Sequence, residues 1–171
     1  MTKLIGKKAP LFSMKAVLPS GQFGTVSLEE QKRKQRWTVL LFYPANFADT
    51  TPAELTVFSD RYEEFQELKT DIIAVSGDTI YAHFAWLQMF RSKGGLEGLR
   101  FSLAQDRTHQ VSRAYEVMDE VLGLPIPSTF IIDPSGNLVY SAVSDVSYSR
   151  NVEELLRILY VHILKHKRDH R

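Results

Sequence analysis

The chain has 171 residues, 44% of them hydrophobic and 24% charged, which suits a single globular domain with a real core. Its formal net charge of +1 excludes a one-signed field able to grip nucleic acid or an anionic membrane. It has no cysteine, which excludes disulfides, thiolate metal sites and thiol redox chemistry.

In chain order, the basic run Lys32-Arg33-Lys34-Gln35-Arg36 reads as a solvated loop rather than a nucleic-acid site, since no aromatic platform accompanies it. Residues 37–43 (WTVLLFY) are a continuous apolar run closed by Pro44, the pattern of a strand buried on both faces. Leu55, Phe58, Tyr62, Phe65 and Leu68 recur at steps of three and four, predicting one helix over 52–68. Residues 71–76 predict a second buried strand, and 79–92 a helix ending at Gly94-Gly95. A short strand is expected near Phe101–Leu103 and a short helix over 108–117. Thr129–Ile132 and Leu138–Val143 form a hairpin about the turn Pro134-Ser135-Gly136-Asn137. The last helix runs from near Asn151, and residues 165–171 are expected to be a fraying tail of the one domain, 1–171.

Strands alternating with helices predict an α/β fold, a mixed central sheet with helices on both faces. No stretch approaches the roughly 18–20 apolar residues of a membrane helix. The expected location is therefore cytoplasmic, with no membrane and no nucleic acid as partner.

Several segments carry a family resemblance. Gly6-Lys7-Lys8-Ala9-Pro10-Leu11-Phe12, Phe42-Tyr43-Pro44-Ala45-Asn46-Phe47, Ser76, Asp78, His83-Phe84-Ala85-Trp86, the stretch from Asp106 to Tyr115, and Thr129-Phe130-Ile131-Ile132-Asp133-Pro134-Ser135-Gly136 occur in order over roughly residues 4–164. Together they resemble the peroxiredoxins, and within them the alkyl hydroperoxide reductase C / thiol-specific antioxidant branch. The resemblance implies a thioredoxin-like fold.

The departures fall on the chemistry. The family motif reads Pro-x-x-x-Thr(Ser)-x-x-Cys. Here Pro44 matches its proline, but Ala48 stands at the hydroxyl residue and Thr51 at the peroxidatic cysteine. Glu54 matches a family glutamate, Pro127 aligns with one family arginine, and Arg150 matches a second. The family's C-terminal segment with the resolving cysteine is expected to be missing.

Peroxide reduction oxidises a thiolate to a sulfenic acid, and a threonine oxygen has no comparable oxidised state. The family thiolate sits at a helix start beside an arginine, which makes it reactive; Ala48 and Pro127 remove that support. In Thr51-Pro52-Ala53-Glu54, Thr51 suits an N-cap, Pro52 the first helical position, and Glu54 a capping box, with Asp49 or Thr50 as alternative caps. Ile126-Pro127-Ser128-Thr129-Phe130 resembles the thioredoxin segment in which a cis-proline precedes a strand, so a cis Ile126–Pro127 bond is expected.

His162, His166 and His170 recur at steps of four and share a helix face, but no acidic or cysteine ligand is seen with them. No metal and no cofactor are expected. Trp86 and Met89 read as core.

The expected function is that of a cysteine-less peroxiredoxin-like pseudoenzyme with a binding or assembly role. Its partners would be a second copy (a homodimer) or a cysteine-bearing peroxiredoxin (a heteromer). The degenerate pocket near Pro44, Thr51 and Pro127 is a place for a small polar ligand. The alternative is a peroxiredoxin-type enzyme with residual or altered activity.

Overall fold

The computed structural model describes residues 3–48, 50–145 and 149–171. Three elements precede the first predicted strand, beginning with an antiparallel hairpin of β1 (Ser13–Val17) and β2 (Phe23–Ser27). Its five-residue strands are too short for their alternation to stand out in the sequence. Helix α1 (Leu28–Arg33) follows, with the Ser27 side chain accepting from the Glu30 amide at 3.2 Å.

The solvated-loop reading of residues 32–36 is corrected here. Lys32 and Arg33 form the last turn of α1, and the Arg36 guanidinium donates to both Asp71 oxygens at 2.9 and 3.2 Å. Asp71 also accepts from Gln31 and Gln66. These bonds outweigh its desolvation and hold its carboxyl below the usual range.

Strand β3 (Trp37–Phe42) is buried at all six positions, as an uninterrupted apolar run requires. The single helix expected over 52–68 is instead two, α2 (Thr51–Asp60) and α3 (Tyr62–Glu67), parted at Arg61 (φ −102, ψ 11). Leu55, Phe58, Tyr62 and Phe65 still share one buried face, so a one-residue break leaves the periodicity unchanged.

Strand β4 (Thr70–Ser76) lies parallel to β3. Helix α4 (Ile80–Leu87), capped by Thr79, stops well short of residue 92. The chain folds back there. Trp86 Nε1 donates to the Gly94 carbonyl at 2.8 Å, and the Leu96 and Glu97 amides take up the Trp86 and Met89 carbonyls. Those long-range partners replace the next helical turn.

Strand β5 (Ser102–Gln105) and the short helix α5 (Gln110–Ala114) lead to a two-stranded ribbon, β6 (Met118–Asp119) with β7 (Leu124–Pro125). The hairpin of β8 (Ser128–Ile132) and β9 (Leu138–Val143) follows. Helix α6 (Val152–Asp169) closes the fold, its start capped by Asn151 accepting from the Glu154 amide at 3.1 Å.

The sheet order is β2-β1-β5-β4-β3-β8-β9, with β3 parallel to β4 and antiparallel to β8. The predicted mixed sheet is observed. Trp37, Val39 and Leu41 pack under residues of α2, α3, α4 and α6; Leu40 and Phe42 pack on the other face with Leu28 of α1 and Val111 of α5. Among the described residues no helix is long and apolar enough to cross a membrane.

The expected cis bond at Ile126–Pro127 is refuted: no described peptide bond is cis. The Ile126 amide donates to the Val117 carbonyl at 2.7 Å, and the Pro127 carbonyl accepts from Ser144 at 3.0 Å. Both contacts are made with the ordinary trans geometry that most X–Pro bonds adopt.

Candidate functional site

The candidate site forms where β3 ends and the chain turns into α2. Register pairs Phe42 with Ser128, so Pro127, buried just before β8, lies at the same end of the sheet as the Pro44 loop. Pro44 and Ala48 are half-buried in that loop. The Ala48 carbonyl accepts from the Thr51 amide at 2.9 Å, tightening the entry to α2.

Thr51 is the first residue of α2 and 6% exposed. Of the caps the sequence allows, the structure takes the alternative, Thr50, and not Thr51. Thr50 occupies the N-cap without a side-chain cap bond, and Pro52 is the second helical residue. Glu54 closes no capping box because a buried cation claims it. Its Oε2 accepts from the Arg150 amide at 2.6 Å, and its Oε1 lies 3.5 Å from Arg150 Nε.

The Arg150 side chain is 9% exposed and that of Glu54 5%. Arg150 Nη2 donates to the Phe42 carbonyl at the end of β3. The Nε contact is an ion-pair distance without hydrogen-bond geometry, and Nη1 has no hydrogen-bond partner. Burial lowers the guanidinium pKa, opposed by the Glu54 charge. Arginine stays protonated even so. The fold thus brings together Glu54, Arg150 and the β3 terminus, with Thr51 one helical turn before Glu54.

The loop is pinned from its other side by residues whose spacing alone assigns them no role. Tyr43 Oη donates to Asn46 Oδ1 at 2.9 Å, and the Asn46 amide nitrogen Nδ2 meets His83 Nδ1 at 3.1 Å. His83 Nε2 meets the Ala104 carbonyl at 3.0 Å. A carbonyl only accepts, so Nε2 carries the proton and Nδ1 accepts from Asn46. Burial pushes the His83 pKa down and the Tyr43 hydroxyl pKa up. Asp78 accepts from the Asn46 backbone amide at 2.9 Å and from Ser76 at 2.7 Å.

Phe47 sits in the left-handed region at φ 67, a conformation that costs a bulky residue about 1–3 kcal/mol. Its ring packs on buried Trp86 at 5.2 Å between centroids, which holds the turn. Trp86 is core, as expected; Met89 is half-buried.

Chemically the arrangement presents a hydroxyl where thiol chemistry needs sulfur. Both oxygens of Glu54 face Arg150, and both nitrogens of His83 are engaged, so neither can serve Thr51 as a general base. Among the described residues no group of three or more His, Cys, Asp or Glu side chains is placed to hold a metal ion.

Comparison with known proteins agrees with this architecture. Residues 5–141 match the model of the AhpC/TSA family. The chain is 46% identical over 157 residues to the peroxiredoxin-type protein YkuU of Bacillus subtilis (strain 168), covering 92% of this chain and 87% of that one. It is 42% identical over 159 residues to the chloroplastic 2-cysteine peroxiredoxin of Chattonella marina var. antiqua, covering 93% and 80%. Among solved structures, reduced Plasmodium vivax 2-Cys peroxiredoxin superposes with a TM-score of 0.92 at 29% identity, covering 98% and 85% of the two chains. Enterococcus faecalis AhpC gives 0.89 at 30%, covering 97% and 96%. Matched along nearly its whole length in sequence and in fold, and without cysteine at the start of α2 or anywhere else, the chain belongs to the AhpC/TSA family of peroxiredoxins.

Proposed function

We propose that this chain is a peroxiredoxin-family protein that has given up peroxidase turnover and acts by binding, as a self-associating subunit. The observation that carries the reading is Thr51. It occupies the first turn of α2, buried, where Ala48 and Pro127 offer neither a hydroxyl nor a cation. The buried cation beside α2, Arg150, is already held by Glu54 and by the Phe42 carbonyl.

Strand β9 supports the assembly half of the proposal. It ends the sheet; Gly6 and Lys7 bond to its first residue, Leu138, while Ala142 and Val143 at its far end are exposed. A free strand edge is a template for a second strand. One solved relative, the Plasmodium yoelii protein Prx1a modified at its N-terminus, forms an octamer described as artifactual.

Two measurements test the proposal. Purified protein with hydrogen peroxide and a dithiol is expected to consume no peroxide above the blank; clear turnover would establish residual or altered catalysis instead. Sedimentation velocity is expected to show a dimer or larger species that Val143→Lys shifts toward monomer. A monomer at all concentrations, with no complex formed on adding a cysteine-bearing peroxiredoxin, would sink the assembly role.

A further inference from the structure

The histidines of α6 have company that their spacing does not reveal. His166 lies over the β8–β9 turn, its Nδ1 3.8 Å from Asp133 Oδ2 and its ring 5.3 Å from that of Trp37. Asp133 is nearly buried, and three donors fix it in place: the Ser135 and Asn137 amides at 2.9 Å each and Asn137 Nδ2 at 3.2 Å. The carboxylate lies within ion-pair reach of the imidazole but beyond hydrogen-bond distance.

His170 follows one turn later. Its Nδ1 meets the His166 carbonyl at 2.8 Å, and because a carbonyl only accepts, Nδ1 carries the hydrogen. The two rings stack at 4.1 Å between centroids, 25° from parallel. The site therefore has two stacked imidazoles one helical turn apart, with a fixed carboxylate within ion-pair reach of the first.

We propose that His166 and His170 form a two-nitrogen site for a divalent transition metal of borderline softness, with water completing the coordination. Imidazole pairs suit zinc, nickel and copper and not magnesium or calcium, which take oxygen ligands. Two nitrogens on one tetrahedral zinc lie about 3.3 Å apart, from Zn–N distances of about 2.0–2.1 Å. The exposed His170 ring would turn to that spacing at the cost of its hydrogen bond to the His166 carbonyl. His162, the third histidine of the face, packs toward Tyr140 at 6.4 Å and is left out. With two protein ligands the affinity is modest, and the ion would clamp the C-terminal turn of α6.

The test is calorimetric titration of the full chain with zinc chloride, alongside 15N resonances of the histidine rings. One zinc per chain is expected, with the Nε2 resonances of His166 and His170 shifting together. His166→Gln or His170→Gln weakens binding at least tenfold, and His162→Gln leaves it unchanged. Asp133→Asn, which keeps the turn's hydrogen-bonding shape, weakens it severalfold. No zinc binding, or binding equally strong in both the His166→Gln and His170→Gln variants, overturns the proposal.

Discussion

Glu54 and Arg150 lie 96 positions apart in the chain and 3.5 Å apart in the fold, each nearly sealed from solvent, with the Glu54 carboxylate also accepting from the Arg150 backbone amide. The pair ties the start of α2 to the approach to α6 and, through the Phe42 carbonyl, to the end of β3. It is a structural clasp beneath the candidate site at the start of α2.

Breaking the clasp on one side leaves a buried charge uncompensated, which typically costs about 3–5 kcal/mol. Glu54→Gln is expected to lose stability in that range by urea unfolding. Glu54→Leu with Arg150→Met is expected to lose clearly less than the two single changes summed. Additive losses would show that the two residues do not act as a pair.

Restoring the sulfur alone is expected to give a sluggish thiol. At Thr51, 6% exposed, a cysteine gains no cation from Pro127 and no hydroxyl from Ala48. Its pKa is then at or above the free-cysteine value of about 8.5. Iodoacetamide alkylation of Thr51→Cys against pH reads this directly. A midpoint below about 7 would mean that the helix start suffices to activate a thiolate. Adding Ala48→Thr and Pro127→Arg is expected to lower the midpoint.

His83 predicts an acid sensitivity. Burial holds its folded pKa below the ordinary 6.5, so the unfolded chain takes up the proton first. The stability it contributes is whole above about pH 6.5 and is lost as pH falls from there through the folded value. The expected slope reaches about 1.4 kcal/mol per pH unit at most. Asp71, also held low, adds its own loss only below its ordinary 3.8. Chemical unfolding at pH 5 and 7 is expected to show the higher-pH loss in the protein and in His162→Gln, and to show it much reduced in His83→Gln.

Gly95 permits the fold-back after α4. A Cβ there would lie 2.1 Å from the Met89 carbonyl oxygen, a backbone atom that cannot swing aside. Gly95→Ala is expected to cost about 2 kcal/mol or more in thermal or urea unfolding. A cost within about 0.5 kcal/mol would mean that the loop from 88 to 99 is not held by its hydrogen bonds to Trp86 and Met89.

Much of this protein is set by local patterns. Strands β3 and β4 follow from apolar runs long enough to need burial on both faces, and the β8–β9 hairpin from its turn residues. Asn151 marks the start of α6 by a capping bond that spans three residues. The loss of thiol chemistry needs no structure at all, since it follows from the residue types present.

Tertiary structure decided the rest. Side-chain periodicity reports which face is buried and is blind to a one-residue break such as Arg61. It is equally blind to partners that lie far along the chain. Thr51-Pro52-Ala53-Glu54 has the spacing of a capping box, yet Glu54 turns to Arg150, accepting its backbone amide and facing its buried guanidinium at ion-pair distance. Ile126–Pro127 is trans, with the Ile126 amide and the Pro127 carbonyl bonded to Val117 and Ser144. Asp133 reads as turn chemistry in sequence, and only the docking of α6 on the sheet sets it beside His166. Local spacing can specify a helix, a strand or a turn, but contacts between distant segments depend on how those elements pack, and no spacing within a segment encodes that.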